Sequence, residues 1–183
     1  MTAPNASPTI AVHRRSSRRL RLWGSQKNKS LIRRFYEQVW DRGNVAFAHD
    51  VFADDYVRHD LRPTQAAPGG AGMAKIAEDF RRAFPDASWQ VDLVVGEADF
   101  VVARWTATGT FTGEWGGTAP TRKSATFSGV NIFRFGNDGK VTELWNHRDD
   151  LGLMEQLGAA VYAGAAPAAV TASPEPSGLK GHS

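Results

Sequence analysis

Phe127-Ser128-Gly129-Val130-Asn131-Ile132-Phe133-Arg134-Phe135-Gly136-Asn137-Asp138-Gly139-Lys140-Val141-Thr142-Glu143-Leu144-Trp145-Asn146-His147-Arg148 carries two alternating runs with Asn-Asp-Gly between them. Apolar residues at every second position suit a half-buried strand, and Asn-Asp-Gly supplies the turn chemistry of a hairpin. Side chains on a strand alternate between faces. Phe127, Gly129, Asn131, Phe133 and Phe135 therefore share one face, with Asn131 and Phe133 as candidate lining for a cavity. On the second arm Leu144 and Asn146 share one face, and Glu143, Trp145 and His147 the other.

The period of two extends upstream. Trp89, Val91, Leu93 and Val95 alternate with Gln90, Asp92 and Val94, which reads as a half-buried strand. Glu97-Ala98-Asp99 then makes a turn into a long strand from Phe100 to about Thr112. A Gly-rich excursion (Gly113, Gly116, Gly117, Pro120) leads back to Ser124. Before Pro85 the period is helical. Leu31, Ile32, Phe35, Val39 and Trp40 form one stripe, with Asn28 as N-cap and Gly43 as stop. Asn44 caps a short second helix that turns Phe47, Ala48, Val51 and Phe52 inward. Ile76, Ala77, Phe80, Ala83 and Phe84 make a third stripe between Pro68-Gly69-Gly70 and Pro85. Leu151, Met154 and Leu157 suggest a closing helical turn that ends at Gly158.

Helices first and strands later define an α+β domain. A curved antiparallel sheet with the early helices over its concave face makes a cone with a mouth, and so a pocket. Residues 28–158 are the expected domain. Residues 1–27 hold six basic side chains and no acid, and read as a disordered arm; residues 159–183, rich in Ala, Pro and Ser, read as a disordered tail. The arm is expected to be solvated, with nucleic acid or an anionic surface as the alternative partner. The twin arginines are followed by Leu20-Arg21-Leu22-Trp23 where an export signal needs an apolar segment, so a cytoplasmic location is expected.

The 183 residues contain no cysteine, which excludes disulfides, thiolate nucleophiles and Cys-ligated metal sites. No apolar run reaches the roughly 18–20 residues of a membrane span. Dinucleotide, Walker, nucleophile-elbow and zincin motifs are missing. His13, His49, His59, His147 and His182 lie at no metal-ligand spacing, although His59-Asp60 and His147 with Asp149 could converge in space. Two polar clusters fall where the pattern expects burial: Tyr56-Val57-Arg58-His59-Asp60 and Trp145-Asn146-His147-Arg148-Asp149-Asp150. Ionisable groups beside aromatics at a strand end make a pocket rim, where desolvation moves pKa values. The competing reading is structural, with Arg148 paired to Asp149 or Asp150 and His59 holding a turn.

Phe84-Pro85-Asp86, Gly109-Thr110-Phe111-Thr112-Gly113, Phe127 to Phe135, Asp138-Gly139-Lys140-Val141 and Asp149-Asp150-Leu151-Gly152-Leu153 with Gln156-Leu157-Gly158 resemble the SnoaL-like polyketide cyclases, or ester cyclases. These belong to the NTF2-like superfamily of α+β cones. The resemblance implies proton-transfer chemistry, an aldol-type cyclisation or isomerisation, on a hydrophobic carbonyl substrate without a cofactor or metal. It puts Asp149 on the aspartate before the family's Leu-Gly-Leu motif, and Asp149 is the expected acid/base, with His147 or His59 as its proton partner. Asn131 and Asn146 become oxyanion-side donors, Arg58 or Arg148 tunes the carboxylate, and Trp145 and Phe133 contact substrate. Two positions depart from the family: Asn146 stands where aromatic polyketide cyclases carry their acid/base aspartate, and Phe111 where relatives often have histidine. The alternatives are water addition of the epoxide-hydrolase kind, through Arg148 with Asp149 and Asp60, or a non-catalytic binding scaffold. By analogy the chain forms a homodimer through the outer sheet face.

Overall fold

The computed structural model describes residues 25–59 and 67–159. Asp60, most of the expected basic arm and nearly all of the C-terminal tail lie outside the described residues. Helix α1 covers residues 25–35, so Asn28 is an interior residue and not the cap expected for it. Ser25 is buried at its start and donates from Oγ to the Gly96 carbonyl at 3.0 Å. The helix continues as a π-turn, Tyr36–Asp41, in which the Arg42 N–H reaches the Glu37 carbonyl at 2.9 Å. After a 3₁₀ turn, Val45–Phe47, come α2 (Ala48–Val51) and α3 (Gly69–Ala83), and α4 (Asp150–Leu157) closes the domain. Among the described residues no helix is long and apolar enough to cross a membrane.

Five strands form one sheet: β1 (Phe52–His59), β2 (Ser88–Glu97), β3 (Phe100–Thr110), β4 (Ser124–Phe135) and β5 (Val141–Arg148), in the order β1-β5-β4-β3-β2. The β2–β3–β4–β5 run is the expected antiparallel meander. Its inner face carries Val101, Ala103, Trp105 and Ala107 from β3 and Ala125, Phe127, Asn131, Phe133 and Phe135 from β4, all buried. Ile32, Phe35, Tyr36 and Val39 of the first helix, with Met73, Ala77, Phe80 and Ala83 of α3, complete that core. Each large apolar side chain buried there contributes roughly 1.5–3 kcal/mol, and this is what holds the helices to the concave side.

Two expectations are corrected. Residues 52–59 form a strand within the helical half, and it pairs in parallel with β5, so the sheet is not wholly antiparallel. As an edge strand it tolerates Asp54, Asp55 and His59 on its exposed side. In β2 the register shifts between Val91 and Leu93. This bulge reverses the alternation: Val94 is buried, whereas Leu93 and Val95 are 52% and 47% exposed on the outer face.

Candidate functional site

Strand register builds the site. One row of paired residues runs Trp105, Gly129, Arg148; the next runs Ala103, Asn131, Asn146; a third runs Val101, Phe133, Leu144, Arg58. Neighbours in a row project to the same side of a sheet. Pairing alone therefore brings Arg148, Asn131, Asn146 and Arg58 onto the concave face. Opposite them lie Phe35, Tyr36 and Trp40 from the first helix and Met73 and Ile76 from α3, with Trp89 at the β2 end. The space enclosed is about 30 Å³, room for about one or two waters. A larger depression of about 600 Å³ at the β2–β3 turn is open to solvent and lined by that single hairpin, so it gathers no groups from separate elements.

The aromatic wall is held in place at several points. Trp40, Trp89 and Trp105 follow one another with ring centroids 4.7 and 4.4 Å apart. Arg81 on α3 donates to the carbonyls of Trp40 and Asp41 at 2.7 and 3.1 Å, which ties the end of the π-turn to α3. Gly129 faces the Trp105 indole so closely that a Cβ there would sit 2.4 Å from the ring. Glycine at 129 is thus what lets the indole lie across β4. From there Trp105 Nε1 donates to Asn131 Oδ1 at 3.3 Å, and Asn146 Nδ2 donates to the same oxygen at 2.9 Å.

The polar lining is dominated by donors. Tyr36 Oη, Trp40 Nε1 and Trp89 Nε1 are buried and have no hydrogen-bond partner among the described residues. Leaving such a group buried and unsatisfied costs about 1–3 kcal/mol each. Burial pushes the Tyr36 hydroxyl well above its ordinary pKa, with the Arg58 charge opposing in part; it stays protonated and can donate. Arg58 also hydrogen-bonds Tyr56, whose pKa is raised by burial against that contact. Arg148 is ion-paired with Asp150 and lies 4.7 Å from the Trp115 ring centroid. Among the described residues no carboxylate or imidazole lines the cavity. Among the described residues no three His, Asp or Glu side chains come together as metal ligands.

Four of the nine site residues read from the sequence meet in this cavity: Asn131, Asn146, Arg58 and Arg148. Phe133 is fully buried on the same face and backs the wall edge-on to Phe35 and Tyr36, 6.2 and 6.4 Å away. Trp145, His147 and His59 do not join them. Strand parity turns Trp145 and His147 away from the face that holds Leu144 and Asn146. Trp145 stacks on His59 at 4.4 Å, and His59 Nε2 meets Glu143 Oε2 at 2.9 Å on the outer surface.

Asp149 also lies outside the cavity lining. It is exposed and serves as N-cap of α4, its Oδ1 accepting the Gly152 N–H at 2.9 Å. The arrangement expected of an acid/base, a carboxylate projecting into the chamber, is not what these residues form. Water addition through Arg148 with Asp149 and Asp60 loses Asp149 by the same geometry, and Asp60 lies outside the described residues.

Of the cavity residues that sequence reading did not assign to the site, three carry an unpartnered donor: Tyr36, Trp40 and Trp89. Trp40 lies on the first helical stripe, Trp89 in the alternation of β2, and Tyr36 follows Ile32 by four residues on that same first stripe. The available signal was a phenol and two indoles on faces otherwise apolar, since each brings a donor that needs a partner.

The motifs that carry the family resemblance hold the cone together. Asp86 accepts from Thr110 N and Oγ1 at 2.7 and 2.6 Å, fastening the Phe84-Pro85-Asp86 corner to the end of β3. Gln156 accepts the Thr126 N–H at 3.0 Å and donates to the Thr126 carbonyl at 2.9 Å, so one side chain docks α4 on β4 as a strand would. Gly152 leaves room for the Asp149 cap, since a Cβ there would lie 2.3 Å from the carboxylate.

Comparison with known proteins agrees with this architecture. Residues 30–157 match the family model for SnoaL-like polyketide cyclase. AclR of Streptomyces galilaeus, proposed to be a hydroxylase, is 28% identical over 75% of this chain and 89% of its own, with a TM-score of 0.64. IdmH of Streptomyces antibioticus, proposed to be a polyketide cyclase, is 26% identical over 72% of this chain and 98% of its own, with a TM-score of 0.60. A protein of a Jannaschia species, proposed to be a SnoaL-like polyketide cyclase, shares the fold at 20% identity, covering 87% of this chain and all of its own, with a TM-score of 0.65. No curated protein matches the sequence. With the cone, its register and its fastening motifs in hand, the chain belongs to the SnoaL-like polyketide cyclase family.

Proposed function

We propose that the protein is a cofactor-independent cyclase or isomerase that takes a hydrophobic carbonyl compound into the concave cavity and moves protons on it. The observation that supports this is the trio of buried donors, Tyr36 Oη, Trp40 Nε1 and Trp89 Nε1, in an aromatic chamber. A carbonyl oxygen that turns into an enolate or alkoxide satisfies such donors and is held more strongly as charge develops, which is the requirement for catalysis. In an intramolecular aldol closure substrate and product are isomers. A proton passes from the α-carbon, made acidic by two flanking carbonyls, to a water molecule acting as base, the enolate carbon bonds to the second carbonyl carbon, and the new alkoxide takes that proton back. Tyr36 hydrogen-bonds the oxygen; Arg58, Arg148 and Asn146 set the surrounding potential; the three indoles wall the rings. A ring system enters by displacing Met73 and Ile76, of which Met73 is the more adaptable.

The test is turnover of aromatic polyketide β-keto esters in ¹⁸O-labelled water. A product of unchanged mass, formed more slowly by Tyr36→Phe, supports the reading. A labelled, hydrated product replaces it with water addition. Binding without turnover leaves a ligand-binding scaffold. The proposal includes a homodimer formed through the outer sheet face, where Leu93, Val95 and Phe100 remain exposed; molar mass by light scattering checks it.

A further inference from the structure

Among the described residues, the first helix and the start of β2 turn three buried hydrogen donors toward the cavity. Tyr36 gives an O–H; Trp40 and Trp89 each give an N–H, and none of the three has a protein acceptor among the described residues. On the sheet side the Asn131 carbonyl already accepts from Trp105 and Asn146, and the charged side chains present are guanidinium groups, Arg58 and Arg148. The carboxylate nearest to Arg148, that of Asp150, is not part of the lining. A neutral amide or alcohol brought into this space would find few acceptors for its own N–H or O–H, the Tyr36 oxygen and the Asn146 carbonyl, against a majority of donors. A carboxylate, phenolate or enolate brings acceptors only, and charge-assisted bonds to it are roughly twice as strong as neutral ones.

We infer that the cavity selects a flat aromatic ligand in its anionic form, with the ionised oxygen placed at Tyr36, Trp40 and Trp89. This rests on the cavity being the ligand site, as argued above, and goes further by fixing the ligand's ionisation state. Tyr36 remains a donor across neutral and mildly alkaline pH because burial disfavours its phenolate. The indoles cannot ionise in that range, so the preference is built from groups whose own protonation does not change.

The probes are naphthalene-2-carboxylate and its near-isostere naphthalene-2-carboxamide, titrated into the full-length protein at pH 7.5 and followed by calorimetry and tryptophan fluorescence. The carboxylate is expected to bind at least about tenfold more tightly than the amide, as the stronger charge-assisted bonds require. The preference should survive about 0.5 M salt, which screens surface charge such as the basic segment before residue 28. Tyr36→Phe, with unchanged circular dichroism, should reduce the preference several-fold, and Trp89→Phe should do the same. Equal binding of the amide overturns the anion preference and leaves the cavity as a ligand site. A preference that vanishes in salt, or that ignores Tyr36→Phe, overturns it as surface binding. Failure of both probes to bind at millimolar concentration overturns the inference together with the proposed function.

Discussion

The Asp149 carboxylate and the Gly152 backbone N–H, 2.9 Å apart, form the N-cap of the last helix. The two residues need each other, because any side chain at 152 would strike the capping oxygens. Replacing an aspartate N-cap by alanine costs about 1 kcal/mol, or a few degrees of melting temperature in a domain of this size. Asp149→Ala should show that loss in a thermal melt, and Asp149→Asn, which still caps, should show almost none. Both variants should keep ligand binding. A large loss of turnover in Asp149→Asn with an unchanged melt would return Asp149 to the chemistry.

Gln156 occupies both backbone groups of Thr126. Gln156→Leu leaves those groups without their partner and should destabilise by about 1–3 kcal/mol. Hydrogen exchange is the sharper measurement: amides of α4 and of the Ser124–Thr126 end of β4 should lose protection while those of β3 keep theirs.

A methyl group at 129 has nowhere to go but the Trp105 ring. Gly129→Ala should cost about 1–3 kcal/mol as overpacking, shift the tryptophan emission, and weaken the Trp105–Asn131 bond. Binding of any cavity ligand should fall with it.

Removing the Tyr36 hydroxyl takes away a group that has no protein partner among the described residues. Stability should be unchanged or slightly higher in Tyr36→Phe, since an unmet desolvation penalty disappears. Turnover should drop by about two orders of magnitude, the usual effect of losing one oxyanion donor. A variant that is less stable yet fully active would contradict both halves of this expectation.

The pH dependence of stability has two arms of known sign. Hydrogen bonds from Arg134 and His59 lower the pKa of Glu143, those from Thr110 lower that of Asp86, and that from Arg134 lowers that of Asp99. A carboxylate whose folded pKa is depressed stabilises the fold above its unfolded value of about 4 and loses that contribution as pH falls below it. Tyr36 and Tyr56 have raised pKa values, burial being the larger cause for both. Their contribution is complete below about pH 10 and is lost as pH rises beyond it. Thermal melts should therefore decline below about pH 4 and above about pH 10, and Tyr36→Phe should soften only the alkaline decline.

Much of the cone is legible from side-chain period. Phe127 to Phe135 alternate cleanly, Asn137-Asp138-Gly139 marks the turn, and parity puts Asn131 on the cavity face, where it is found; on β5 parity separates Asn146 from Trp145 and His147 without saying which face is inner. Residues 52–59 hide because an edge strand with one neighbour needs no regular alternation, and Asp54-Asp55 breaks it. Leu93 and Val95 mislead because a bulge reverses parity with no mark in composition. Asp149 is legible in another way: an acid just before a helix, with glycine three residues on, is itself a capping signal. Tyr36 was equally readable, as a phenol on an apolar stripe.

The parallel pairing of β1 with β5 has a consequence for the nascent chain. His59 meets Trp145 across that seam, so the N-terminal edge cannot find its neighbour until the ribosome has released almost the whole domain. Closing so long a loop is entropically slow, and topologies rich in such distant contacts fold late and expose their edges meanwhile. Arg58, which β1 contributes to the chamber, must then be among the last groups to reach its place, and the pocket is finished only when the seam zips shut.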